Sequence, residues 1–151
     1  NYTELTNALK RENTIVGILS IEGAHVLGTG NSSGLLLSDE ALKQLISERV
    51  NMIKQWKYPP FTINLAHHFW NQLSGHSTTF KPPINRLLNQ TKGIDSSITP
   101  AGWHAIKEFL SKENGKRILI DTKHMSVTAR KEYYNFIELY NHLNPDDTIP
   151  I

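Results

Sequence analysis

The chain reads Ile15-Val16-Gly17-Ile18-Leu19-Ser20-Ile21-Glu22-Gly23-Ala24-His25 near its beginning, an apolar run that ends in an acid, a glycine and a histidine. Residues on both alternating faces of this run are apolar, which is typical of a strand buried on both sides in a parallel sheet. A carboxylate at the end of such a strand is costly unless it meets a metal, a cation or a proton. The run therefore predicts a buried strand with Glu22 as a candidate functional residue at its carboxyl end.

Two later segments repeat this pattern of an apolar run followed by a metal-capable side chain. Phe61–Ala66 runs into two adjacent histidines, His67 and His68. Arg117–Lys123 runs into His124. Parallel α/β barrels place their chemistry at the carboxyl ends of their strands, so we expect these side chains to gather at one edge. Alternation along a strand does not decide which of the two adjacent histidines faces inward.

The composition limits the chemistry that is open to this chain. It has 151 residues, a net charge of +2 and no cysteine. Disulfides and thiolate metal sites are therefore excluded, and a transition metal must be held by His, Asp and Glu. The Lys and Arg residues are scattered rather than striped, so no nucleic-acid partner is expected. No run approaches the roughly 20 apolar residues of a transmembrane helix.

Helix signals separate the apolar runs. Ser38, the pair Thr99-Pro100 and Ser126 are predicted N-terminal caps, and Thr148–Ile151 resembles the start of a fourth strand. The resulting order, α-β-α-β-α-β-α-β, implies a parallel sheet with right-handed crossovers. We therefore predict an α/β fold, a partial TIM (β/α)₈ barrel with about four parallel strands and intervening helices. Residues 1–151 are expected to form a single domain, the central part of a larger hydrolase barrel.

A long irregular stretch lies between His68 and Ser97 and is rich in Asn, Gly, Ser and Pro. Loops of this length without regular structure tend to be functional. In a barrel this loop would overhang the mouth and shape a substrate pocket. His76, within it, is expected to be exposed, with a substrate contact as the alternative.

Three segments occur in the order and spacing of one known family. They are the strand with its Glu-Gly-x-His end (Gly17–His25), the strand end Leu65–His67 followed by Asn71, and Ile94–Gly102 followed after one helix by Ile118–Ser126. Taken together they resemble the membrane (renal) dipeptidase family of the amidohydrolase superfamily. The resemblance covers almost the whole chain.

Members of that family are metallohydrolases that use two zinc ions to cleave dipeptides. The resemblance implies that Glu22 bridges both zinc ions, that His124 is a ligand of the second zinc, and that His67 contacts the substrate near the scissile carbonyl. These residue types suit the roles, because a carboxylate offers two oxygens to two cations and a neutral imidazole suits zinc. Paired metals lower the pKa of a shared water and polarise a carbonyl.

The sequence also departs from the family pattern. The family's His-x-Asp pair and its later His, Arg and Asp are not found here, so this chain alone is expected to lack a complete site. The rest of the barrel would come from segments outside it. Lys123 stands where the family prefers a small residue. Strand alternation places Lys123 and His124 on opposite faces, which predicts that Lys123 points away from the metals.

The predicted function is therefore zinc-dependent hydrolysis of a dipeptide amide bond through a metal-bridged hydroxide. One alternative is another amidohydrolase that acts on a different amide, ester or lactam. A second alternative is an inactive barrel fragment with a binding role. The expected partner is a dipeptide or similar small amide. The resemblance leaves open a homodimer and an extracytoplasmic or membrane-associated location.

Overall fold

A computed structural model describes residues 2–30, 37–84 and 87–150. Its four helices are α1 (Tyr2–Leu9), α2 (Asp39–Lys54), α3 (Pro100–Leu110) and α4 (Val127–Leu143). Its three strands are β1 (Ser20–Ile21), β2 (Thr62–Asn64) and β3 (Leu119–Asp121). Two short 3₁₀ helices cover Ala24–Leu27 and Pro145–Asp147.

The three strands form one parallel sheet in the order β1-β2-β3. Ile21 lies opposite Ile63 in the first pair, and Ile63 lies opposite Ile120 in the second. The connection from β1 to β2 contains α2, and the connection from β2 to β3 contains α3. Because all three strands run in the same direction, their carboxyl ends lie at the same edge of the sheet.

The helices begin where the sequence predicts. The Ser38 hydroxyl accepts a hydrogen bond from the first turn of α2, and the Thr99 hydroxyl does the same for α3. Ser126 caps α4 in the same way. The buried faces of α2 and α3 then pack with the sheet into one apolar core, whose fully buried members include Ile46, Val50, Ile63, Ile106, Phe109 and Ile118.

The prediction of a partial TIM barrel with four strands is wrong. The described residues contain three strands, too few for a closed barrel. The predicted fourth strand does not form at Ile149, which is buried but does not pair with the sheet. Its N–H donates to Asn141 Oδ1 at 2.7 Å and its C=O accepts from Asn141 Nδ2 at 2.8 Å. Because the Asn141 side chain takes both backbone groups, they are not available for a strand ladder; Ile151 lies outside the described residues.

The first apolar run is also less buried than predicted. Only Ser20 and Ile21 form a strand, and the side chain of Ile15 is 98% exposed. Ile18 and Leu19 are exposed as well. Within the described part of the chain, β1 pairs with β2 alone and stands at the edge of the sheet. The consequence for Glu22 is that it follows an edge strand and its side chain is accessible.

The long stretch after β2 packs against the end of β3. The Ser77 N–H donates to His124 O at 2.9 Å, and the Ser126 N–H donates to Gly75 O at 3.0 Å. His76, which was expected to be exposed, is fully buried, and its ring nitrogens lie within hydrogen-bond distance of backbone carbonyl oxygens. This segment is therefore hydrogen-bonded directly to the turn that carries His124.

Candidate metal centre

Three candidate residues from different strand ends meet at one edge of the sheet. Glu22 follows β1 directly, and His67 and His124 each lie three residues beyond the ends of β2 and β3. His124 Nε2 lies 3.3 Å from Glu22 Oε1, and His67 Nε2 lies 3.8 Å from the same oxygen. One ligand atom from each residue lies within 4.8 Å of the others. The gathering predicted from the three strand ends is therefore present.

The turn after β3 determines how His124 reaches the cluster. His124 has φ = 67°, a left-handed conformation that is uncommon for residues other than glycine. The Met125 N–H donates to Thr122 O across this turn at 3.1 Å, and the Lys123 N–H donates to Asp121 Oδ1 at 2.8 Å. The chain has thus left extended geometry before it reaches the histidine.

Lys123 lies on the same side as His124, so the prediction that it points away is wrong. Its Nζ donates to Glu22 Oε1 at 3.0 Å. Alternation of side chains holds only along extended backbone, and β3 ends at Asp121. The signal in the sequence was that Lys123 directly precedes a candidate ligand. Strand periodicity did not apply to Lys123, because the strand ends before it.

A close approach of two strand ends explains the glycine that follows Glu22. Gly23 has φ = 97°, and a Cβ placed there would lie 3.0 Å from the Cβ of His67. A side chain at this position would therefore be strained and would press on the histidine. The glycine allows Glu22 and His67 to lie next to each other.

Of the two adjacent histidines, His67 is the one whose ring nitrogen lies close to Glu22, at 3.8 Å. The His68 ring lies 3.9 Å from the His67 ring and 4.8 Å from the Phe80 ring, measured between centroids. Its Nδ1 is buried and has no hydrogen-bond partner in the described structure. Among the residues described, the group able to hold a metal ion comprises Glu22, His67 and His124.

The electrostatics of the cluster favour an ionised Glu22 and a neutral His67. Hydrogen bonds from Lys123 and then from His124 lower the pKa of Glu22. Burial lowers the pKa of His67, and the neighbouring His68 and His124 lower it further. Burial and then His124 also lower the pKa of His68. An ionised carboxylate beside neutral imidazoles is the protonation state that metal binding requires.

We expect the metal-free protein to lose stability as the pH falls below about 6.5. His25, His67 and His68 all have their pKa lowered from 6.5, chiefly by burial. The unfolded chain therefore binds protons at a higher pH than the folded chain does. The contribution of these histidines to folding stability is fully present above pH 6.5 and is lost as the pH falls through their lowered pKa values.

Melting temperatures measured in a chelator from about pH 8 to about pH 5 test this dependence. The decline should begin well above the range in which carboxylates titrate. The His68→Phe variant should show a shallower decline, because it removes one of the three groups. A melting temperature that is constant down to about pH 5 would contradict the expectation.

Two separations in the cluster approach those of a zinc site, and the widest, up to 4.8 Å, would have to shorten for one ion to contact all three residues. A tetrahedral zinc ion with bonds of about 2.0–2.1 Å holds its nitrogen and oxygen ligands about 3.3 Å apart. The two distances from Glu22 Oε1, 3.3 Å to His124 and 3.8 Å to His67, are close to that separation. Three protein ligands that leave a fourth position for water or substrate are the arrangement of catalytic zinc sites.

The fold and the cluster together define a small α/β protein with a His/Glu group at the carboxyl edge of a parallel sheet. No family model matches the chain, and neither does any curated protein or solved structure. The resemblance to the membrane dipeptidase family therefore stays a prediction from sequence motifs. In the described ranges, no helix has the length and apolar character that crossing a bilayer requires.

Proposed function

We propose that this chain supplies a zinc-binding hydrolase site in which Glu22, His67 and His124 hold one ion. The observation that carries the proposal is the convergence of these three side chains, with ligand atoms within 4.8 Å of one another. They come from three different strand ends that are far apart in sequence. Two imidazoles and one carboxylate form a donor set that suits zinc.

The proposed role of His67 differs from the one that the family resemblance implies. That resemblance makes His67 a substrate contact and Glu22 a bridge between two zinc ions. Here His67 Nε2 lies 3.8 Å from Glu22 Oε1, which is close to a ligand–ligand separation. The described residues offer one group of three ligands at this edge. We therefore assign His67 to the metal and propose a single ion.

The proposed reaction is hydrolysis of a small amide, with a dipeptide as the first substrate to test. A zinc ion held by these residues would lower the pKa of a bound water and polarise a carbonyl oxygen. Glu22 would supply the negative charge of the ligand set, and His67 and His124 would supply its two nitrogen ligands. The side chain of Glu22 is 53% exposed, so a small substrate can reach the site from solvent.

Zinc titration combined with a dipeptide hydrolysis assay tests this function. We expect one equivalent of zinc and dipeptide turnover that a chelator abolishes. His67→Ala should weaken zinc binding by at least about tenfold, because it removes one ligand. His142→Ala is the matched control, since His142 is exposed on α4 and far along the chain from the cluster.

The possible outcomes separate the candidate functions. Zinc binding with turnover of an ester or lactam, but not of dipeptides, would move the assignment to another amidohydrolase activity. Zinc binding without turnover of any of these substrates would leave a binding role. Absence of zinc binding would overturn the proposal.

A further inference from the structure

One oxygen of Glu22 is shared by a cation and two imidazoles. Lys123 Nζ lies 3.0 Å from Glu22 Oε1, closer than either histidine nitrogen. The side chain of Lys123 is 60% exposed, so its ammonium can move into solvent. In this arrangement the lysine ammonium is the nearest positive group to the carboxylate on which the proposed metal site depends.

A divalent ion and this ammonium compete for the same carboxylate oxygen. The formal charges of Glu22 and Lys123 cancel in the structure, and a zinc ion would add two positive charges beside them. Like charges a few Å apart repel each other, so an ion held by Glu22 would weaken the contact between the Lys123 ammonium and that oxygen. The site would then carry a net positive charge, and Lys123 would lack the acid that it pairs with here.

We propose that Lys123 exchanges partners, leaving Glu22 when zinc binds and then binding a carboxylate of the ligand that occupies the site. This inference rests on the proposed zinc site and extends it to the substrate class. The ammonium is a point charge on a flexible four-carbon stem, so it can follow an anion over a few Å. Its attachment next to His124 keeps it beside the zinc position.

Among the small amides of the proposed function, this inference selects those that carry a carboxylate close to the amide, as dipeptides do. The amide carbonyl of such a ligand would face the zinc position while its carboxylate pairs with Lys123. A neutral analogue of the same shape would lose that ion pair and would leave the positive charge of the loaded site without a counter-ion.

The first measurement is zinc affinity, read by calorimetry in the absence of substrate. Lys123→Met should bind zinc about tenfold more tightly than the wild type, because a competing positive charge has been removed. Lys123→Arg should stay near the wild-type value, since it keeps the charge. Lys131→Met is the matched control, because Lys131 is exposed on α4, and its zinc affinity should be unchanged.

The second measurement compares N-acetylglycine with N-acetylglycinamide on the zinc-loaded protein, by titration followed with NMR. The two probes differ by one carboxylate. The wild type and Lys131→Met should prefer the acid by about tenfold, and Lys123→Met should lose this preference. Circular dichroism and melting temperature establish that each variant is folded.

The results distinguish failure of this inference from failure of the proposed function. If the wild type binds no zinc, the zinc site itself is wrong. If the wild type binds zinc, an unchanged or weaker zinc affinity in Lys123→Met overturns the partner exchange. An undiminished preference of Lys123→Met for N-acetylglycine overturns the assignment of the carboxylate to Lys123.

Discussion

Glu22→Gln is expected to weaken zinc binding by more than about 100-fold while leaving the fold intact. Loss of a group that merely supports a metal ligand typically costs about 10- to 100-fold in affinity, so loss of the charged ligand should cost more. Glu22 is also the residue that contacts both histidines of the cluster. Dipeptide hydrolysis should disappear together with the zinc.

The fold should tolerate this change because Glu22 follows the edge strand β1 and its side chain is 53% exposed. A glutamine carbonyl oxygen can still accept the hydrogen bond from Lys123. Melting temperature in a chelator should therefore remain near the wild-type value. Glu138→Gln, an identical substitution at an exposed position on α4, is the control and should bind zinc normally. Wild-type zinc affinity in Glu22→Gln would remove Glu22 from the ligand set.

Gly75→Ala is expected to destabilise the protein by about 3 kcal/mol, which corresponds to a fall of about 10 °C in melting temperature. A Cβ at position 75 would lie 1.8 Å from the backbone oxygen of Ser96. The obstacle is backbone, so the overlap cannot be relieved by rotation of a side chain. The carbonyl oxygen of Gly75 also accepts from the Ser126 N–H, so displacement of the loop would disturb the start of α4.

Gly17→Ala is the matched control for this substitution. A Cβ at position 17 would meet no atom within 4 Å. Its melting temperature should therefore equal or slightly exceed that of the wild type, because alanine restricts the unfolded chain. Thermal denaturation followed by circular dichroism measures both variants. Equal stability of Gly75→Ala and Gly17→Ala would show that the loop does not pack on Ser96 as described.

The sequence predicted the parts of the structure that depend on short-range patterns. The helices begin at Ser38, Thr99 and Ser126 as predicted, because a cap requires only a hydroxyl oxygen that accepts from a free N–H group of the first turn. The parallel alternation of strands and helices, and the gathering of Glu22 and His124, follow from chain order in the same way. These features are determined locally or by connectivity.

The features that the sequence did not predict depend on contacts between distant residues. In the described part of the chain, the predicted fourth strand does not pair with the sheet at Ile149, because Asn141, on a helix, takes both of its backbone groups. Hydrophobicity alone gave no sign of this competition. The position of Lys123 depends on the left-handed backbone at His124, a conformation that residue type does not specify. Ile15 is exposed and lies five residues before the paired strand β1 begins at Ser20.

Because hydrogen bonds join the long loop to the turn after β3, these two parts of the chain are expected to unfold locally together. The Ser77 N–H is held by the carbonyl of His124, and the Ser126 N–H is held by the carbonyl of Gly75. A local unfolding event that releases the loop must therefore release the backbone of His124 as well. A ligand that binds His124 only in the closed arrangement would slow exchange of both amide protons with solvent, since it stabilises the closed state by mass action.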